Sequence, residues 1–212
     1  MIDRTRFDLI RERRGSCASW AVWEAAGARP KSNVGDLGGL DPDLNAQLLS
    51  TLHDESAMVG LNISRPLQRP FRNFHDPRPR AQDFKIRHAF RQTKWWGSYM
   101  TDFIKNVEAL RSSELQALLT PDIIARNVAS FASELQDLGS APPILLVFGT
   151  HAHCLIDRHV PRASYRWLIK LTHYSHYIVS DDYPSAVLKE IAEALCDRET
   201  QIGDFNAVGR DA

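Results

Sequence analysis

The sequence predicts an α/β fold of three layers, α/β/α, around a four-stranded, mostly parallel sheet. Four short apolar runs, at 57–62, 97–104, 143–148 and 166–171, have the length of strands rather than of helices. Helical patterns separate them, which is the order that βαβ units produce. Two of those helices open on Asp41-Pro42 and Thr120-Pro121, where a capping oxygen stands before a proline that fits the first turn.

Taken in order, residues 5–26 read as a helix with Trp20 and Trp23 near its end, and 27–42 as a Gly/Pro/Asn/Asp-rich loop. A helix runs from Asp41-Pro42 to His53 with Leu44, Leu48, Leu49 and Leu52 on one face. The first strand, 57–62, ends at Asn62. The long loop after it holds Pro66, Pro70, Pro77 and Pro79, and ordered irregular backbone of this length is often functional. A basic helix spans 82–93, and a second strand, 97–104, carries Asp102 and Lys105 near its end. Helices at 113–118 and 121–138 lead to the most apolar strand, 143–148, which Gly149-Thr150-His151-Ala152 turns into a helix. The last strand is 166–171, and the last long helix is 183–196. The 212 residues form one domain: a helical N-terminal part at 1–54, a core at 55–180 and a C-terminal helix and tail at 181–212.

Composition excludes several classes. The chain is 43% hydrophobic and 25% charged, so it is neither fibrous nor disordered. Its three cysteines, Cys17, Cys154 and Cys196, lie far apart and lack metal spacing, which argues against a disulfide framework and for a reducing compartment. No apolar run reaches the roughly 18–20 residues that cross a bilayer, and the first residues lack a signal-peptide core, so a cytoplasmic protein without a membrane partner is expected. The net charge is zero but unevenly spread. Between Arg65 and Lys94 stand nine Lys or Arg against Asp76 and Asp83, a surplus that suits a phosphate-bearing partner.

Four strand ends carry a resemblance. Gly60-Leu61-Asn62-Ile63-Ser64 is similar to the first motif of the uracil-DNA glycosylase superfamily, in the mismatch-specific branch that has Asn at the third position. His173-Tyr174-Ser175-His176-Tyr177 resembles the second motif, His-Pro-Ser-Pro-Leu. Thr101-Asp102-Phe103-Ile104-Lys105 is similar to a Thr-Asn-Val-Val-Lys strand end, and Val147-Phe148-Gly149 looks like the strand before the second motif. The resemblance covers residues 55–180 and implies a monofunctional DNA glycosylase, a monomer without cofactor or metal, that acts on a base flipped out of DNA.

On that resemblance Asn62 and His173 are the catalytic pair. Asn62 orients a water through its amide, and a neutral His173 donates to the leaving base as negative charge gathers there. Phe74, twelve residues after Asn62, matches the family's stacking ring, with Phe71 as its competitor and Gly60 beneath the base. Tyr177 takes the place of the wedge that fills the gap. Ser64, Arg65, Arg72, Lys105 and Ser175 are the expected contacts to DNA phosphates. Asp102 departs from the family's Asn. A carboxylate only accepts, which suits an exocyclic amine such as cytosine N4 and points to a modified cytosine, for example glucosylated hydroxymethylcytosine in phage DNA.

Other readings stay open: a uracil or mismatch repair enzyme, a non-catalytic nucleic-acid-binding module, or an N-glycosidase of free nucleotides. His151, His153 and Cys154 with His173 and His176 have zinc-binding chemistry, but neighbours in the first turn of a helix point apart, so no metal is expected.

Overall fold

Asp3 begins the first helix by accepting the Arg6 amide at 2.8 Å, and α1 (Arg4–Arg14) buries Phe7 and Ile10. The computed structural model describes residues 1–63, 67, 69–105, 107 and 112–208, with side chains from 114 to 197 in the last stretch. The helix expected over 5–26 stops at Arg14. Gly15 admits the 70s loop so closely that a Cβ there would stand 2.4 Å from the Arg11 carbonyl and 3.0 Å from Pro70 Cβ. Beyond this break, Ala18–Trp20 forms strand β1, which pairs antiparallel with Tyr99–Thr101.

The remaining strands are β2 (Ser56–Asn62), β3 (Tyr99–Ile104), β4 (Ile144–Phe148) and β5 (Trp167–Leu171). They lie in the order β1-β3-β2-β4-β5, and every pair except β1·β3 is parallel. The sheet is therefore mixed and five-stranded, where four strands were expected. The fifth escaped notice because Trp20 and Trp23 looked like one face of a helix, whereas they belong to opposite faces of the sheet.

Helices cover both faces. On one, α1, α5 (Pro121–Leu138) and α6 (Thr150–His159) pack through Phe7, Phe131 and Ile156 on Ala57, Val59, Leu145 and Val147. On the other, α3 (Phe84–Phe90) and α7 (Tyr183–Val208) pack through Ile86, Phe90, Tyr183 and Val187 on Met58, Met100, Leu146 and Ile169. Met58, Met100, Leu146 and Phe148 thus face α3 and α7, as a side-chain period of two requires, while Ile104 at the end of β3 joins the other cluster. The basic helix is shorter than its pattern suggested, and the helix expected over 41–53 is only one turn, α2 (Leu48–Thr51), preceded by turns. Helix α4 is Ser112–Leu118. No described helix is long and apolar enough to cross a membrane.

The chain leaves β2 toward β3 on one side, then crosses back to β4 on the other. In an open α/β sheet this reversal opens a crevice at the carboxyl ends of the strands. Asn62 ends β2 there, and Gly149 follows β4 with a positive φ of 89°.

Candidate active site at the strand ends

Gly60 and Asp102 are register partners on β2 and β3 and point to the α3/α7 face. A Cβ on Gly60 would stand 2.2 Å from Asp102 Oδ1 and 3.1 Å from Phe74 Cζ, so only glycine lets the carboxyl and the ring close over the strand. Asn73 Nδ2 donates to Asp102 Oδ2 at 2.9 Å and to the Cys17 carbonyl at 3.0 Å. Both partners are acceptors, which fixes the orientation of the amide. One Asp102 oxygen is thus held, and the other overhangs Gly60. Burial pushes the Asp102 carboxyl up to about 6, although the Asn73 bond and Lys105 favour its charged form.

Phe74 itself has a positive φ of 61°. Its ring centroid lies 6.5 Å from that of Phe148 and 6.3 Å from that of Tyr174, and its carbonyl accepts from Trp23 Nε1 at 3.2 Å. Tyr174 meets Phe148 edge-on at 5.4 Å and stacks on His173 at 4.3 Å with 23° between the planes. Tyr174 therefore stands between Phe74 and His173. A base entering to stack on Phe74 has to turn that ring aside or stack on it in turn. Sequence alone assigns Tyr174 no role, because its contacts to Phe74 and Phe148 come from segments far away in the chain.

His173 closes the row. Its Cδ2 lies 3.4 Å from where a Gly149 Cβ would be, so the glycine after β4 makes room for the imidazole. Nδ1 accepts the Ser175 amide at 3.1 Å and lies 2.8 Å from the Ser175 hydroxyl. A ring nitrogen that accepts a backbone N–H carries no proton, which puts the proton on Nε2. Burial, with His176 adding to it, lowers the His173 pKa to about 4, so the ring is a neutral Nε2–H donor at neutral pH.

Asn62 lies two residues beyond Gly60 on the same face of β2, partly buried, with Nδ2 3.4 Å from the Val107 carbonyl. The loop bearing His173 is fastened from below by Lys85 of α3, whose ammonium donates to the carbonyls of Ile178 at 2.9 Å and His176 at 3.3 Å. Tyr177, at the tip, is fully exposed.

Other expected contacts are placed elsewhere. Phe71 packs against Phe7 at 5.4 Å in the core on the α1 side, so it is no rival to Phe74. Lys105 does not reach outward to phosphate. Its ammonium is 2.6 Å from Glu134 Oε2 on the α5 face, with side chains 7% and 0% exposed, and Tyr99 and Thr101 hydroxyls also donate to Glu134. Arg72 reaches the Gly35 carbonyl at 3.4 Å. Ser175 is engaged with His173. Ser64 and Arg65 lie outside the described residues. The basic run is only partly a surface, since Lys85 and Arg87 are buried and Arg78 pairs with Asp76.

Asp83 completes the acidic side of the site. It is buried beneath the Phe74 loop, accepts the Asp76 amide at 2.8 Å, and burial pushes its carboxyl up to about 7. Nothing in its sequence context, Gln82-Asp83-Phe84, set it apart from an ordinary helix-start acid. Among the described residues no three His, Cys, Asp or Glu side chains are grouped to hold a metal ion. A scan against known protein-family models finds no match, and a search of curated proteins finds no relative.

Proposed function

We propose that the protein is a monofunctional DNA glycosylase that hydrolyses the N-glycosidic bond of a flipped modified cytosine, such as glucosylated hydroxymethylcytosine in phage DNA, and leaves an abasic site. The observation that carries this reading is the Asp102 carboxyl, anchored through one oxygen and presenting the other over Gly60 beside an aromatic wall. A carboxylate there accepts from an exocyclic amine and repels the carbonyl that uracil shows at the same position.

In this reaction the C1′–N bond breaks with its electron pair going to the base, and a water held by Asn62 adds to C1′. His173 Nε2–H donates a hydrogen bond to the departing base, worth most as its charge develops. The water's second proton passes to solvent or to the released base. No lysine amine lies among these groups, since Lys105 is committed to Glu134 and Lys85 to loop carbonyls, which favours water over a Schiff-base route.

A panel of duplexes bearing modified bases, scored for released base and alkali-labile strands, tests the proposal with the wild type, Asn62→Ala and His173→Ala. Excision of cytosine derivatives, lost in both variants, is the expected result. Excision of uracil alone removes the substrate assignment, and binding without any abasic site reduces the protein to a nucleic-acid-binding module. One observation favours the uracil alternative: burial raises the Asp102 carboxyl to about 6, and the protonated form, populated below that pH, donates to a carbonyl.

A further inference from the structure

Beside the loop that bears Tyr177 runs a groove of about 250 Å³ between residues 26–30 and α3, ending at Ser180 and Asp181. Arg29, His88 and Arg91 are exposed on its walls. At its floor the buried Arg87 guanidinium donates to the carbonyls of Glu24, Ser32 and Pro30 at 3.0, 2.9 and 2.5 Å. All three acceptors are neutral, and no described carboxylate pairs with Arg87, so its positive charge is left to act on the groove. A second hollow, of about 430 Å³, shares Arg87 and Arg91 and is walled by Trp23 and Trp96. Arg91 therefore stands on the ridge between two open hollows. Asp181 and Glu24 are the acids that line them.

We propose that these adjacent hollows are the track for the sugar-phosphate backbone of a DNA strand flanking the extracted base, with Arg29 and Arg91 contacting successive phosphates. The inference rests on the function proposed above for the identity of the strand. Three features set a polyanion apart from a small anion. The cations are spread along an open track instead of converging on one point. The two hollows are neighbours that share Arg87 and Arg91. The track also adjoins the Tyr177 loop through Ser180 and through α3, whose Lys85 holds that loop. A strand whose base is drawn toward Gly60 passes the exposed Tyr177 and meets this track.

The test is fluorescence anisotropy of labelled single- and double-stranded oligonucleotides against salt, with the wild type, Arg29→Gln/Arg91→Gln, and Arg158→Gln as a control exposed on α6. The double variant should bind at least about tenfold more weakly at low salt, and the slope of log affinity against log salt should fall by about two. Arg158→Gln should match the wild type. Equal affinity and slope in the double variant overturn the track, as does an equal loss for polyglutamate and DNA, which marks a general anion surface. Base release measured in parallel separates the two proposals. A wild type that binds with this salt dependence but releases no base sinks the glycosylase and leaves the track. Excision with KM unmoved in the double variant sinks the track and leaves the glycosylase.

Discussion

Asn73 and Asp102, twenty-nine residues apart, share one hydrogen bond of 2.9 Å, and the same amide nitrogen is tied to the Cys17 carbonyl. The loop after β2 and the segment before β1 thereby fix a carboxyl at the end of β3. The Asn73 bond favours the ionised carboxyl, so Asn73→Ala should raise the Asp102 pKa above about 6. If the carboxylate is the form that accepts the substrate amine, wild-type excision falls as pH drops through about 6. The variant's acid limb should move up by about one pH unit. Single-turnover rates from pH 5 to pH 8 check this, and a limb that stays in place rules out Asn73 as a positioning residue.

His173 should show the Nε2–H tautomer at neutral pH in long-range proton–nitrogen NMR, with no titration until the pH approaches about 4. His173→Ala should lower the single-turnover excision rate about 10²–10³-fold, the usual cost of one donor to a developing anion. His173→Gln, whose amide can still donate, should retain part of the rate. A ring that titrates near 6.5 contradicts the geometry.

Gly60→Ala puts a methyl group 2.2 Å from Asp102 Oδ1 and 3.1 Å from Phe74 Cζ. The carboxyl must swing off Asn73, so urea unfolding should show a loss of about 1–3 kcal/mol, and excision should fall with it. Asp102→Ala in the Gly60→Ala background should recover much of the lost stability, because the clash is between those two positions.

Asp83 ties stability to pH. Its carboxyl is lifted to about 7 in the fold from 3.8, so the folded chain binds this proton more tightly than the unfolded one. That contribution is fully present below about pH 4 and is lost as pH rises through about 7. Asp83→Asn removes the dependence while keeping an oxygen for the Asp76 amide. Relative to wild type it should gain on the order of 2–4 kcal/mol between pH 4 and pH 8 in denaturant titrations. Parallel stability curves for the two proteins contradict this.

The parallel strands and their ends were legible because apolar runs of strand length alternate with capped helices, and because Gly60, Asn62, Asp102 and His173 all stand where those runs stop. Strand β1 was not legible: three residues are too few to show a period of two, and two tryptophans at helical spacing mimic a helix face. Asn73, Tyr174 and Asp83 were not legible either. Asn73 and Tyr174 are defined by contacts between distant segments and Asp83 by its burial, and positive φ values at Phe71 and Phe74 set how the loop turns Asn73 inward. Lys105 misled because its spacing from Asp102 matches a pattern, while its partner, Glu134, lies on a helix that spacing cannot bring near.

Strand β1 finds its hydrogen-bonding partners about eighty positions further along, at Tyr99–Thr101. During synthesis the opening segment therefore emerges before its partner strand, and it must wait for more than a third of the polypeptide to follow. Closing so wide a loop is slow relative to making nearby contacts. The central β2·β4 pairing closes a loop of similar width, from Ser56 to Ile144, so the middle of the sheet and its antiparallel edge both wait on distant partners. Because the Cys17 carbonyl arrives with β1 and steadies Asn73, the acidic end of the site is set only once that edge of the sheet has docked.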